Sequence, residues 1–135
     1  MVAPRTIPSI GRGLARACHL PPTVAVTALT TALAVAVGNP PWIVVSVALT
    51  ILAGQLSIGW SNDWIDAGRD RTVGRTDKPV AVGDVTEGQV RVAALSALVL
   101  SVPLSIPLGW RALLLHLVAV LSGWTYNLIA KRTAW

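Results

Sequence analysis

The stretch that decides the fold runs from Thr23 to Trp60 and reads TVAVTALTTALAVAVGNPPWIVVSVALTILAGQLSIGW. It holds no charged residue over 38 positions, and only Gly38-Asn39-Pro40-Pro41 interrupts its apolar character. A helix that crosses a bilayer needs about 20 residues, so this length predicts two membrane-spanning helices joined by a tight turn. The first is expected over about residues 20–37 and the second over about 41–60, each with proline in its first turn.

The composition of the whole chain also indicates a membrane protein. Hydrophobic residues make up 53% of the 135 positions and charged residues 13%, with a mean hydropathy of +0.64. Soluble domains carry about twice that share of charge, so a soluble or disordered chain is excluded. Two further apolar spans are predicted at about residues 88–109 and 111–130, the former bent by Pro103 and Pro107. The expected fold class is all-α, a polytopic membrane helical bundle with about four transmembrane helices.

The charges are distributed unevenly. All six acidic residues lie between positions 63 and 87, together with four of the 11 basic ones. No basic stripe interleaved with aromatic residues follows, so nucleic-acid binding is not predicted. The other basic residues lie in the N-terminal segment, at span ends and in the tail. The positive-inside rule therefore predicts a multi-pass protein of the cell membrane, in contact with lipid, whose termini and 61–87 loop are cytoplasmic.

The acidic segment carries the clearest chemical signal, in GWSNDWIDAGRD at residues 59–70. Asp63, Asp66 and Asp70 are spaced so that a helix places them on one face, and Asn62 adds a neutral oxygen one turn before Asp66. Oxygen ligands at this spacing suit Mg²⁺, which keeps water and bridges to phosphate. The basic residues that follow could hold the same phosphates; they are Arg69, Arg71, Arg75 and Lys78. The alternative is a solvated loop whose charges serve topology alone.

These residues resemble the first aspartate-rich motif of the UbiA prenyltransferase superfamily. The family pattern Asn-Asp-x-x-Asp-x-x-x-Asp is similar to residues 62–70 without a gap, and the family's basic-Pro turn resembles Lys78-Pro79-Val80-Ala81-Val82-Gly83. A third family feature, a tyrosine followed by Lys-Arg-Thr, resembles Tyr126 and Lys131-Arg132-Thr133. The three motifs occur in the family's order.

The resemblance implies a membrane-embedded, Mg²⁺-dependent transfer of a prenyl group from its diphosphate to a small-molecule acceptor, often aromatic. Asn62, Asp63, Asp66 and Asp70 would form the first metal-binding set, and the three aspartates would be the catalytic carboxylates. Contacts to the prenyl diphosphate would come from Arg69, Arg75, Lys78 and Lys131, and Tyr126 would form part of the pocket wall.

The chain also departs from the family pattern. Members have about nine transmembrane helices and a second aspartate-rich motif, whereas residues 1–135 are expected to form a partial domain similar to the N-terminal half of that fold. The chain alone is not expected to be active. It is expected to self-associate or to bind a complementing C-terminal half. The alternative is an inactive small membrane protein that keeps the motif loop as a metal-binding or partner-docking element. An ion-transport subunit is disfavoured because the acids cluster at a membrane edge.

Overall fold

The computed structural model describes residues 9–130, and within them every regular element is helical, as the sequence predicts. Five α-helices follow one another along the chain: α1 (Ile10–Ala17), α2 (Leu20–Ala36), α3 (Pro41–Thr72), α4 (Glu87–Ser105) and α5 (Trp110–Thr125). A 3₁₀ turn over Ile106–Leu108 connects α4 to α5, and a π-helical turn over Tyr126–Ala130 follows α5.

Three of these segments are long and apolar enough to cross a membrane, namely Pro41–Thr72, Glu87–Leu108 and Trp110–Ile129. The pair α1 and α2 adds a fourth candidate span with a bend of 72° between them. The chain is therefore a multi-pass membrane protein, and the predicted all-α bundle is confirmed.

Two features of the helices differ from the prediction. The helix expected to end near residue 60 continues to Thr72, so the acidic motif is helical and the connecting loop covers only 73–86. No proline or unfavourable backbone stops the helix before Gly74, whose φ of +69° ends it, and Arg69 and Arg71 in its last turn complement the helix dipole. The second difference is α1, a short helix that the sequence did not predict.

The break between α1 and α2 is held against the middle of α3. His19 has a left-handed backbone with φ of +57°, and the Thr23 hydroxyl donates to the carbonyl of Cys18 at 2.9 Å. The indole N–H of Trp60 donates to the Leu14 carbonyl at 2.8 Å. Gly59 allows this approach, because a Cβ there would overlap the backbone carbonyl of Cys18. The break is thus fixed on α3 next to the acidic motif.

A small apolar cluster packs the 73–86 loop against the helices. It contains Ala17 of α1, Ala67 of α3, Val80 and Val85 of the loop and Val90 of α4, with Leu14, Trp60 and Trp64 around it. Burial of these side chains favours a loop that folds back over the end of α3. The helix that follows begins with a capping box, in which Thr86 Oγ1 accepts from the Gln89 amide and Gln89 Oε1 accepts from the Thr86 amide.

The end of α5 is bound to α3 by side-chain hydrogen bonds. The Trp124 indole donates to Ser57 Oγ at 2.8 Å, and Asn127 Nδ2 donates to Ser61 Oγ at 2.8 Å and to the Ile58 carbonyl at 3.0 Å. These bonds bring Tyr126, which directly precedes Asn127, to the same end of the bundle as the acidic motif.

Candidate functional site

A polar cavity of about 670 Å³ opens where α3 extends beyond Trp60. Its lining comes from the α1–α2 break, the last turns of α3, the 73–86 loop and the turn after α5. The residues are Arg16, His19, Asn62, Asp63, Asp66, Arg69, Asp70, Val73, Arg75, Asp77, Lys78, Pro79 and Tyr126. The predicted metal ligands, Tyr126 and three of the four predicted phosphate-binding cations within 9–130 therefore line one cavity. Arg71 is the exception, because it pairs with Glu87 outside the cavity. Lys131, the remaining one, lies outside the described residues.

The helix α3 supplies the oxygen-bearing side chains of this cavity. The spacing along this helix keeps the four side chains on neighbouring positions of one face. They are those of Asn62, Asp63, Asp66 and Asp70, with successive separations of one, three and four residues. Asp63 and Asp70 are buried, whereas Asp66 is half-buried. A buried carboxylate is costly unless cations or donors accompany it, so this arrangement requires partners.

The partner of Asp63 is Lys78 from the loop. Lys78 Nζ lies 2.7 Å from Asp63 Oδ1, and the two side chains are 12% and 1% exposed. The other carboxylate oxygen, Oδ2, is buried and has no hydrogen-bond partner within the described part of the chain. One oxygen of the carboxylate is thus neutralised by an ammonium group, while the second is desolvated and suited to a further cation.

His19 is the site residue that sequence reasoning missed. Its Nε2 lies 3.1 Å from Asn62 Nδ2, 3.1 Å from Lys78 Nζ and 3.3 Å from Asp63 Oδ1. The signal in the sequence was slight, a histidine directly before Leu20-Pro21-Pro22 at the start of a span. Arg16 and Asp77 were also missed as lining residues, and Arg16 donates to Asp84 of the loop at 2.5 Å.

Arg75 and Asp77 form an exposed two-point ion pair at the cavity rim. Arg75 Nε and a terminal guanidinium nitrogen donate to the two Asp77 oxygens at 2.8 and 2.6 Å. These side-chain hydrogen bonds lower the pKa of Asp77 and raise the pKa of Arg75. Asp77 therefore stays ionised and orients the planar guanidinium of Arg75. A guanidinium is the side-chain group best suited to bind a phosphate at two points.

The carboxylates do not form a preassembled metal cage. Among residues 9–130, no three His, Cys, Asp or Glu side chains converge closely enough to hold a metal by themselves. Mg²⁺ commonly takes only one or two carboxylates and fills its remaining positions with water and phosphate oxygens. The buried, unpartnered Oδ2 of Asp63 and the oxygen donors beside it fit that mode of binding.

A second, smaller cavity of about 270 Å³ adjoins the polar one and is mostly apolar. His19, Asn62 and Tyr126 line both cavities. The remaining lining residues of the smaller cavity are Cys18, Pro22, Thr23, Gln55, Ile58, Gly59 and Asn127. The site thus joins a charged compartment to an apolar one across three side chains, an arrangement that suits a ligand with a charged head and a hydrocarbon tail.

Comparison with known proteins gives one match. The sequence model of the UbiA prenyltransferase family matches residues 21–135, which includes the acidic motif, the 73–86 loop and Tyr126. Searches of curated proteins and of solved structures find no significant match.

Proposed function

The chain belongs to the UbiA prenyltransferase family, and from that premise we propose that its polar cavity binds the diphosphate of a prenyl donor. The single observation that carries the proposal is the convergence of oxygen ligands and cations on one cavity beside an apolar one. The diphosphate would lie among Arg69, Arg75 and Lys78, and the first carbon of the prenyl chain would point toward the apolar cavity.

The reaction is the transfer of that prenyl group to a small-molecule acceptor, which is often aromatic. The allylic C–O bond breaks and its electron pair leaves with the diphosphate, while a bond forms between the prenyl carbon and the acceptor, which loses a proton. The chain's own cations stabilise the charge that develops on the leaving oxygen. Tyr126 and the apolar lining keep water away from the reacting carbon.

Asn62, Asp63, Asp66 and Asp70 are the residues that would hold Mg²⁺ in this site. When bound, the ion neutralises charge on the diphosphate and so eases its departure. Before it binds, Lys78 takes the cationic position next to Asp63. Lys78 would keep that carboxylate oriented in the absence of ligand.

Complete catalysis is proposed to need a second carboxylate set. The 135 residues place all six acids between positions 63 and 87, so they hold the diphosphate from one side. Each 1.4 kcal/mol of lost stabilisation slows a reaction about tenfold. We therefore propose that a second aspartate-rich segment, outside these 135 residues, completes the site.

The test is binding of inorganic diphosphate to the detergent-solubilised protein, measured by calorimetry with and without Mg²⁺. We expect Mg²⁺-dependent binding that Asp66→Asn weakens by about tenfold or more, because a charged ligand to the ion is lost. Glu87→Gln is the matched control, since Glu87 lies outside the cavity and pairs with exposed Arg71. Binding that ignores Mg²⁺, or that both variants affect equally, would contradict the proposal.

The orientation in the membrane is also proposed, with the polar cavity and both termini on the cytoplasmic side, because the basic residues of the N-terminal segment and of the 73–86 loop belong there. A reporter that works only in the cytoplasm should be active when fused after Gly83 and inactive when fused after Asn39. The reverse pattern would overturn the orientation without affecting the site itself.

A further inference from the structure

We propose that His19 is a positioning residue of this site, which holds the Lys78 ammonium and the Asn62 amide at the boundary between the two cavities. The inference rests on the proposed function and adds a residue that lies outside the three sequence motifs. It also lies outside the residues 21–135 that match the family model.

The hydrogen-bond chemistry assigns the role of the imidazole. Both groups at 3.1 Å from Nε2, the Lys78 ammonium and the Asn62 Nδ2, are donors and cannot accept. With the ring proton on Nδ1, Nε2 accepts from these two donors, and the Lys78 ammonium bridges Nε2 and Asp63 Oδ1, which lie 3.3 Å apart.

The geometry fixes the direction of Lys78. Of its three N–H donors, one is taken by Asp63 Oδ1 at 2.7 Å and one by His19, within the described residues. The remaining donor is then fixed in direction and is available to a phosphate oxygen. Without His19 the flexible lysine stem would keep only its bond to Asp63, so the ammonium would be less well oriented.

The location of His19 connects the orientation of Lys78 to the prenyl C–O bond that breaks in the proposed reaction. His19 and Asn62 both line the polar and the apolar cavity, so the groups that they orient lie where the charged head of a donor meets its hydrocarbon tail. Lys78, 3.1 Å from His19 Nε2, lines the polar cavity beside this boundary, where a cation would stabilise the charge that develops on the leaving oxygen as the C–O bond breaks.

The backbone of His19 supports a role beyond packing. It is the one non-glycine residue with positive φ among residues 9–130, and its ring is 41% exposed on the cavity. A left-handed conformation is unfavourable for a side chain that carries a Cβ, and glycine would adopt it more easily. A strained residue kept at a site is a reason to examine its function.

His19→Gly separates the side chain from the backbone. Because glycine favours this conformation, the variant should melt at the same temperature as the wild type or higher. Its dissociation constant for inorganic diphosphate in the presence of Mg²⁺ should nevertheless rise about tenfold, since a donor is no longer oriented. Free imidazole added to the variant should restore part of the affinity. His116→Gln, in the chain's other histidine on α5, should leave the affinity unchanged.

The outcomes are distinct. Wild-type affinity in His19→Gly, or equal loss in His116→Gln, would overturn the role of His19 while leaving diphosphate binding in place. A parallel loss of affinity and melting temperature in His19→Gly, with no recovery in imidazole, would also overturn it by making His19 a structural residue. Absence of Mg²⁺-dependent diphosphate binding in the wild type would overturn the proposed function itself.

Discussion

The two halves of the bundle are stabilised in different ways. Around the polar cavity, charged side chains are buried against one another, as in the pair of Asp63 and Lys78, and the 73–86 loop is packed by a small apolar cluster. In the middle of the bundle the buried residues on facing helices are small, among them Thr50, Gly54, Ala94, Ala97 and Ser101. Small residues let membrane helices approach closely, so backbone packing replaces electrostatic pairing there.

The middle of the bundle uses hydroxyl groups where the cavity end uses ions. The hydroxyl of Thr50 donates to the carbonyl of Leu104 at 2.8 Å, next to the turn where α4 ends after Pro103. The Leu104 carbonyl lies in the last turn of α4, where carbonyl groups no longer all find a partner within the helix, so the hydroxyl supplies one. The outer faces of these helices remain exposed and apolar, as at Leu115, which is 72% exposed. Within residues 9–130 the buried charged residues, Asp63 and Asp70, thus both lie at the cavity end, where a charged ligand is proposed to bind.

The largest expected effect follows from breaking the buried ion pair. Asp63→Ala would leave the Lys78 ammonium, 12% exposed, without its carboxylate. Removing one partner of a buried pair costs about 3–5 kcal/mol, because the other charge stays desolvated. Tryptophan fluorescence during thermal or denaturant unfolding in detergent measures the loss, since Trp60 and Trp64 pack beside the 73–86 loop.

The control is Glu87→Ala, which breaks the ion pair with Arg71, where the side chains are 47% and 48% exposed. An exposed pair contributes less than about 1 kcal/mol, so this variant should unfold nearly as the wild type does. Equal destabilisation by the two substitutions would show that the cavity end is not held by its buried charge.

The helical architecture could be predicted from the sequence because its causes are local. The uncharged length from Thr23 to Trp60 and the turn at Gly38-Asn39-Pro40-Pro41 define two spans without any tertiary information. The extension of α3 to Thr72 could not be predicted from the same signal, because residues 61–72 are polar and hydropathy is uninformative outside the apolar span. The periodicity of the aspartates was the better guide there, since a helix places all three on one face.

The candidate site was predictable only in its local part. Asn62, Asp63, Asp66 and Asp70 share one helix, so their spacing was enough to group them. His19 contacts Asn62 and Lys78, which are 43 and 59 positions away in the sequence. These contacts depend on the packing of the α1–α2 break against α3. The short helix α1 also depends on tertiary packing, because Gly13 and Ala17 are buried against the loop and the neighbouring helices. Contacts of this kind leave no periodic signal.

A smaller effect is expected where the two regions meet, at Gly59. In Gly59→Ala the added Cβ would overlap the Cys18 carbonyl, a backbone group that can move only if the α1–α2 break moves with it. Overpacking of this type costs about 1–3 kcal/mol. Because His19 follows Cys18, the same substitution should also weaken diphosphate binding, which calorimetry would detect in the solubilised protein.

Two other glycines show which property of Gly59 matters. At Gly123 a Cβ would meet both branches of the Ile58 side chain, at 2.7 to 3.1 Å. A side chain can shift more easily than the backbone carbonyl that faces Gly59, so Gly123→Ala should cost less than Gly59→Ala. At Gly68, exposed on the same helix as Gly59, a Cβ meets nothing within 4 Å. Gly68→Ala should therefore stabilise α3 by up to about 1 kcal/mol through helix propensity alone. If all three substitutions shifted the unfolding midpoint alike, helix propensity and not the contact with Cys18 would govern Gly59. If instead Gly59→Ala destabilised the protein most, Gly123→Ala less and Gly68→Ala not at all, the contact with Cys18 would govern Gly59. Loss of diphosphate affinity in Gly59→Ala alone would then show that packing at the α1–α2 break supports diphosphate binding.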